Sequence, residues 1–241
     1  MSEVIIGRNA VLEALKSDRE IEKLSVAKGA EGSVKQIVAK AKDKKIPVYY
    51  SDKNRLDKDA GGKSHQGVVA VVSDYKYCSV DDILHRAETR GEEPFVVILD
   101  GIEDPHNLGA IIRTAECAGV HGIIIPKRRS ASVTETVSKT SAGAIEYMLC
   151  AKVSNIPREI EKLKERGLWI GACDMDGEVL YRQNLTGPIG IVIGGEGSGV
   201  GRLVKEKCDF TVSIPMKGSI TSLNASNAAS ILMYEILRQR G

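Results

Sequence analysis

The sequence predicts an α/β protein in two parts, a small α/β unit followed by a larger domain built on a parallel sheet. Three observations carry this. From residue 94 onward, near-continuous apolar runs (FVVIL, GIIIP, LWIGA, IGIVIG, FTVSI) alternate with helical stretches, as parallel strands buried on both faces require. Before residue 74 shorter runs alternate with amphipathic stretches. Between them, residues 75–93 are polar and acid-leaning, with 3 Lys/Arg against 5 Asp/Glu. The expected organisation is a domain at 1–74, a linker at 75–93 and a domain at 94–241.

The elements follow in order. Val11, Leu12, Ala14 and Leu15 have helical spacing, and a strand is expected around Leu24–Ala27. Val34, Ile37, Val38 and Ala41 mark a second helix, before the strands IPVYY and VVAVVS. Ser79 with Asp82 three residues on has the form of a helix N-cap with a weak capping box. In the larger domain a helix over about 107–118 carries the stripe Leu108, Ile111, Ile112, Ala115 and Ala118, with Gly119 placed to end it. The last helix, about 225–239, lines Ala225, Ala228, Ala229, Leu232, Met233 and Ile236 along one face. Its small residues admit close approach of another helix, from this chain or a second one.

Composition excludes several classes. A hydrophobic share of 42% and a charged share of 27% over 241 residues are those of a soluble globular protein. No apolar run approaches the roughly 18 residues of a membrane span. The start, MSEVIIGRNAVLEAL, does not read as a signal peptide. Cysteines 78, 117, 150, 173 and 208 form no CxxC pair, which points to free thiols in a reducing cytoplasm. The 4 histidines form no HExxH motif, so no metal is expected. Residues 1–74 hold 14 Lys/Arg against 11 Asp/Glu and residues 94–241 hold 17 against 16, so a nucleic-acid partner must meet a local patch. With 2 Phe and 1 Trp, a single-strand binder built on aromatic platforms is disfavoured.

Three segments at the C-terminal ends of expected strands are placed to carry chemistry, because ligands bind there in open α/β sheets. In LDGIEDPHNLGAIIRTAE (99–116), Asn107 sits at a helix start and Arg113 lies opposite the apolar stripe. Alone, these read as a helix cap and a solvated cation. In IGIVIGGEGSGVGRLV (189–204), a glycine-rich loop brings backbone close to a ligand and holds one acid, Glu196. The dinucleotide fingerprint fails there, since Gly195 and Gly197 are followed by Val200. In SIPMKGSITSLNASNAAS (213–230), a polar loop leads to a helix opened by Asn224, by itself a capping pattern. Gly62-Lys63-Ser64 lacks the first glycine of a P-loop, because Asp57 stands in its place. Lys127-Arg128-Arg129, directly after a strand end, is the densest basic cluster, either a solvated turn or a phosphate contact.

Taken together and in this order, NLGAIIRTAE, GGEGSGV and SIPM…SLNASNAAS resemble the three motifs of the SpoU/TrmH family of RNA ribose 2′-O-methyltransferases, over about residues 94–241. GRNAVLEAL and HQGVVA resemble the ribosomal-protein-L30e-like, RNA-binding extension of its bacterial 23S rRNA guanosine members. The resemblance implies a deep trefoil knot in the C-terminal domain and S-adenosylmethionine as cofactor. It places Gly194, Ile214 and Leu223 on that cofactor and makes Asn107, Arg113, Glu196, Ser222 and Asn224 the catalytic set. It further implies a twofold homodimer, RNA and not DNA or membrane as partner, and a guanosine of 23S rRNA as target. Arg113 is expected to grip a phosphate, with Glu196 holding its guanidinium. A tRNA guanosine enzyme of the same fold is the first alternative. A non-catalytic ribosome-associated RNA-binding protein is the second, and the intact polar set argues against it. An ordinary Rossmann-type methyltransferase would want G-x-G-x-G directly after the acidic strand end, where Asp100 is followed by GIEDPHNLG.

Overall fold

A computed structural model of the chain describes residues 2–17 and 19–241. The elements run β1 (Ser2–Ile6), α1 (Arg8–Lys16), β2 (Ile21–Ala27), α2 (Ser33–Asp43), β3 (Val48–Ser51), α3 (Lys53–Asp59) and β4 (Val68–Ser73). They continue with α4 (Val80–Arg90), β5 (Phe95–Asp100), α5 (Pro105–Cys117), β6 (Gly122–Pro126), α6 (Glu135–Thr140), β7 (Leu149–Val153) and α7 (Ile156–Glu165). The last are β8 (Trp169–Val179), β9 (Ile189–Gly194), α8 (Arg202–Lys205), β10 (Phe210–Ser213) and α9 (Ala225–Arg240). Two compact units result: Met1–Lys76 with Ser132–Tyr147, and Tyr77–Ala131 with Met148–Gly241.

The first unit holds a four-stranded sheet of order β1-β4-β2-β3, antiparallel except for the β2–β3 pair. One face carries Leu24, Val26, Ala70 and Val72 against Val11, Ala14 and Ile37 of α1 and α2. The other meets Leu56 and Ala60 at α3 through Ile6 and Val69. Arg19 is buried at the rim. Its guanidinium pairs with Glu3, pairs with Glu146 at 2.8 Å, and donates to the Ser73 carbonyl. Glu146 belongs to the segment 132–147, whose α6 packs on β1 and α1 through the buried Val137. Sequence periodicity placed this segment in the C-terminal domain. The structure differs because Val137 and Ile145 are buried and Gly143 lies flat against Ala10 and Glu13, where a Cβ would come within 2.6 Å of the Glu13 side chain.

The second unit is the expected parallel sheet, six strands in the order β10-β8-β9-β5-β6-β7, every pair parallel. Val96, Ile98, Ile124, Ile170 and Val192 fill one continuous core. The stretch read as linker, 75–93, instead supplies α4, whose Ile83 and Leu84 are buried in that core. Its start has the capping box expected of Ser79 and Asp82, with both hydrogen bonds formed. The helix fits closely because β6 opens with Gly122, where a Cβ would come within 2.5 Å of Ile83. The strand order reverses at β5, which has β9 on one side and β6 on the other, so a crevice opens above the C-terminal ends of β5 and β9. The small-residue face of α9 is used inside the chain, with Ala225 and Ala229 buried and α9 packed on α5.

Candidate active site

The crevice is built by three loops, two of which are tied together by a single residue. Asp100, ending β5, accepts from the Gly195 N–H through its carbonyl and from the Gly201 N–H through Oδ2, both at 2.8 Å. The loop after β9 is thereby held against the loop after β5. Only glycine permits this approach: a Cβ on Gly195 would lie 2.2 Å from the Gly101 carbonyl, and one on Gly194 would lie 2.0 Å from Gly199.

Within this frame three polar side chains meet. Asn107 is not the cap of α5; Asp104 caps it, accepting from His106 N–H at 2.9 Å. Asn107 instead sits in the first turn, 7% exposed, and donates from Nδ2 to Glu196 Oε1 at 3.0 Å. Asn224 donates from Nδ2 to the same oxygen at 2.6 Å and to Asn107 Oδ1 at 2.9 Å. The ring of contacts joins residues far apart in sequence. Asn224 also caps α9, its Oδ1 accepting from Ser226 N–H at 2.9 Å and Ser226 Oγ at 2.6 Å. The capping and the site readings of Asn224 therefore hold together, since the cap fixes Oδ1 on the helix and turns Nδ2 toward Glu196. Ser226, buried behind it, is a supporting residue that sequence reasoning missed, hidden in an ordinary Ser/Asn run.

Beside this set lies a cavity of about 560 Å³, lined by Gly194, Ile214, Met216, Ser222, Leu223 and Asn224 among others. Its size and mixed lining suit a small organic ligand with polar ends. Apolar side chains, glycine backbone and Glu196 all contribute to its lining. Cys173 also lines the cavity, and burial pushes its thiol up to about 11, so it stays protonated and inert at neutral pH. Asp174, on the same wall, is ion-paired with Lys205 at 3.0 Å. Among the described residues no group of His, Cys, Asp or Glu could hold a metal ion.

Arg113 is the exception. It is exposed on α5, and among the described residues it makes no ion pair with Glu196. Among the described residues Glu196 does not hold Arg113; its Oε1 accepts from the two asparagines instead. Ser222 reaches the cavity wall, exposed.

The model of the SpoU rRNA Methylase family matches residues 94–234, and that of RNA 2'-O ribose methyltransferase substrate binding matches residues 4–78. A Bacillus subtilis protein named as a TrmH family tRNA/rRNA methyltransferase is 50% identical over 239 residues, 98% of this chain and 95% of that one. The SpoU methyltransferase AviRb of Streptomyces viridochromogenes, solved with AdoMet, superimposes with a TM-score of 0.83 at 25% identity over 99% of this chain and 90% of its own. A TrmH/SpoU tRNA modifying enzyme of A. aeolicus matches 61% of this chain and 76% of its own, with a TM-score of 0.56 and 29% identity. With both family models matched in order and a relative half identical from end to end, the chain belongs to the SpoU/TrmH family of RNA methyltransferases.

Proposed function

We propose that the protein transfers a methyl group from S-adenosylmethionine to the ribose 2′-hydroxyl of a guanosine in 23S rRNA. The observation that carries this is the hydrogen-bonded set Asn107–Glu196–Asn224 at the edge of the cavity that Gly194, Ile214 and Leu223 line. When bound, the cofactor supplies an already activated methyl, so the protein must align two atoms and manage one proton. Gly194, Ile214 and Leu223 hold the donor, the glycine backbone and the two apolar side chains enclosing it. Glu196 is held in one orientation by two amide donors before substrate arrives, which fixes a hydrogen-bond acceptor at the reacting end. Ser222 and Asn224 orient the ribose from the loop ahead of α9. The proton leaves to water or a phosphate oxygen.

Arg113 acts from a partner chain in this reading. Its exposure and its lack of an ion pair among the described residues suit a twofold dimer in which it reaches across to the other subunit's site, gripping a phosphate and stabilising charge on the attacking oxygen. The family's trefoil knot belongs to the same reading, formed as the chain after β9 threads a loop. The first unit reads the rRNA, supported by the substrate-binding match over residues 4–78. No helix among the described residues is long and apolar enough to cross a membrane, in keeping with a cytoplasmic enzyme.

The test maps ribose methylation across rRNA and tRNA in cells lacking the protein, beside methyl transfer by the purified chain. Loss of one 2′-O-methylguanosine from 23S rRNA is expected. Loss from tRNA alone would replace the rRNA target with the tRNA alternative. Unchanged methylation with no transfer in vitro would overturn the enzymatic reading.

A further inference from the structure

Two more grooves open on the second unit beside this site. The nearer, of about 840 Å³, has Asn107 and Glu196 in its wall together with Arg128 and Arg129. The farther, of about 610 Å³, carries Lys127 and Arg158. Both are lined by Ser154 and Asn155, so one leads into the other. The sheet accounts for the arrangement. Pro126 and Val153 are partners where β6 and β7 end, and the Lys127 N–H donates to the Val153 carbonyl at 2.8 Å. The loop 127–131 and the loop leading into α7 therefore leave the sheet side by side.

Most acids of these grooves are engaged, and four of their cations make no ion pair among the described residues. Asp100 and Asp104 are engaged with backbone N–H groups, Asp81 pairs with Arg166 at 2.6 Å, and Glu159 pairs with Lys162 at 3.0 Å. Glu196, in the wall of the nearer groove, accepts from the two asparagines, and Glu103 is the remaining acid there. Lys127, Arg128, Arg129 and Arg158 are exposed and make no ion pair among the described residues. Arg129 is also held at φ 56°, a left-handed backbone uncommon for a long side chain, in a turn closed by Ser130 Oγ donating to the Pro126 carbonyl at 2.6 Å. Such conformations persist where the fold over-determines them, commonly at binding sites.

Four exposed cations without ion pairs among the described residues, leading away from a carboxamide–carboxylate site, suit a polyanion that passes through it. We propose that this row is the track along which the sugar–phosphate backbone of the substrate RNA leaves the target nucleotide. Arg128 and Arg129 meet the phosphates nearest the target ribose, and Lys127 and Arg158 meet those farther along. Contacts of this kind fix register and carry no base preference. The inference rests on the RNA methyltransferase reading and adds, on the second unit, phosphate contacts beyond those that reading gives to Arg113 at the target nucleotide.

The experiment titrates the full-length protein with a 23S rRNA fragment over a range of salt. Two folded double variants are compared with wild type: Arg128→Gln with Arg129→Asn, the latter tolerating the left-handed backbone, and Lys127→Gln with Arg158→Gln. Each lost contact should flatten the slope of log affinity against log salt by about 0.7 on single strands and about 0.9 on duplex. The Lys127/Arg158 pair should raise KM with kcat kept, as loss of uniform binding does. S-adenosylmethionine affinity should be unchanged in both. Wild-type slopes in both variants, with melting temperatures unchanged, would overturn the track. Because the titration needs no turnover, it decides the track separately from whether the wild type methylates RNA. A wild type that binds RNA through these residues yet transfers no methyl would count against the proposed reaction alone.

Discussion

Asn107→Ala breaks two of the three hydrogen bonds in the polar set and leaves the helix caps beside it intact. The substitution removes a donor from Glu196 Oε1 and an acceptor from Asn224 Nδ2, and leaves the α5 cap at Asp104 in place. A hydrogen bond to a charged group contributes about 1.5–3 kcal/mol. If that energy fixes Glu196 for the transition state, the rate should fall by about 10- to 150-fold. The measurement is single-turnover methyl transfer, with cofactor affinity and melting temperature followed alongside. Cofactor affinity should change only a few-fold, because Gly194, Ile214 and Leu223 are untouched. Asn107→Asp sharpens the test by setting a second carboxylate about 3 Å from Glu196 in place of a donor, and like charges so close cannot both ionise freely. It should be at least as slow as the alanine variant at neutral pH. A folded Asn107→Ala variant within twofold of wild-type turnover would refute the role given to the hydrogen-bonded set.

Arg113→Ala should abolish transfer with little effect on cofactor affinity, and Arg113→Lys should fail too, since a point charge cannot replace a bidentate fork. Mixing Arg113→Ala chains with Gly194→Trp chains should restore up to roughly a quarter of wild-type activity through mixed dimers; no recovery from proven mixed dimers would place each site within one chain. Arg19→Ala strands the buried carboxylates of Glu3 and Glu146 and should cost about 3–5 kcal/mol in chemical denaturation, and a loss under about 1 kcal/mol would contradict the packing described. Burial holds the His121 ring below its ordinary value of 6.5, against an opposing hydrogen bond to Glu92, while Nδ1 accepts from the Phe95 N–H. The unfolded chain therefore takes up the proton first, so this stability is complete above about pH 6.5 and is lost as pH falls through it. The decline in melting temperature below that pH should be shallower in His121→Gln, and identical pH profiles would remove His121 as its source.

The parallel sheet was legible because strands buried on both faces must be apolar throughout, and five such runs stand out. β7 was not, since LCAKV is short and carries a lysine at the sheet edge, and β1 was too brief to separate from the helix that follows. The site was legible in a different way. Residue by residue, Asn107 and Asn224 look like caps and Glu196 like a solvated acid; only the joint pattern set them apart. That Glu196 binds two asparagines, not Arg113, depends on loops brought together by Asp100 across 101 positions, a distance no local pattern spans. Left-handed Arg129 is equally silent in sequence, because its backbone is set by the turn around it and not by its own preference.

The membership of residues 132–147 in the first unit has a consequence for how the protein is made. The chain passes between the units three times, at 76–77, 131–132 and 147–148. During synthesis the N-terminal sheet can pair its strands once β4 emerges, but Arg19 has no Glu146 and the flank of α1 stays uncovered until β5 and β6 of the other unit's sheet have been translated. At about 5–20 residues per second, that leaves an interval of some seconds in which the N-terminal sheet exists without its last layer. The usual vectorial order, one domain finished before the next begins, is not open to this chain, and a nascent fragment ending near residue 76 should be the species most in need of a chaperone.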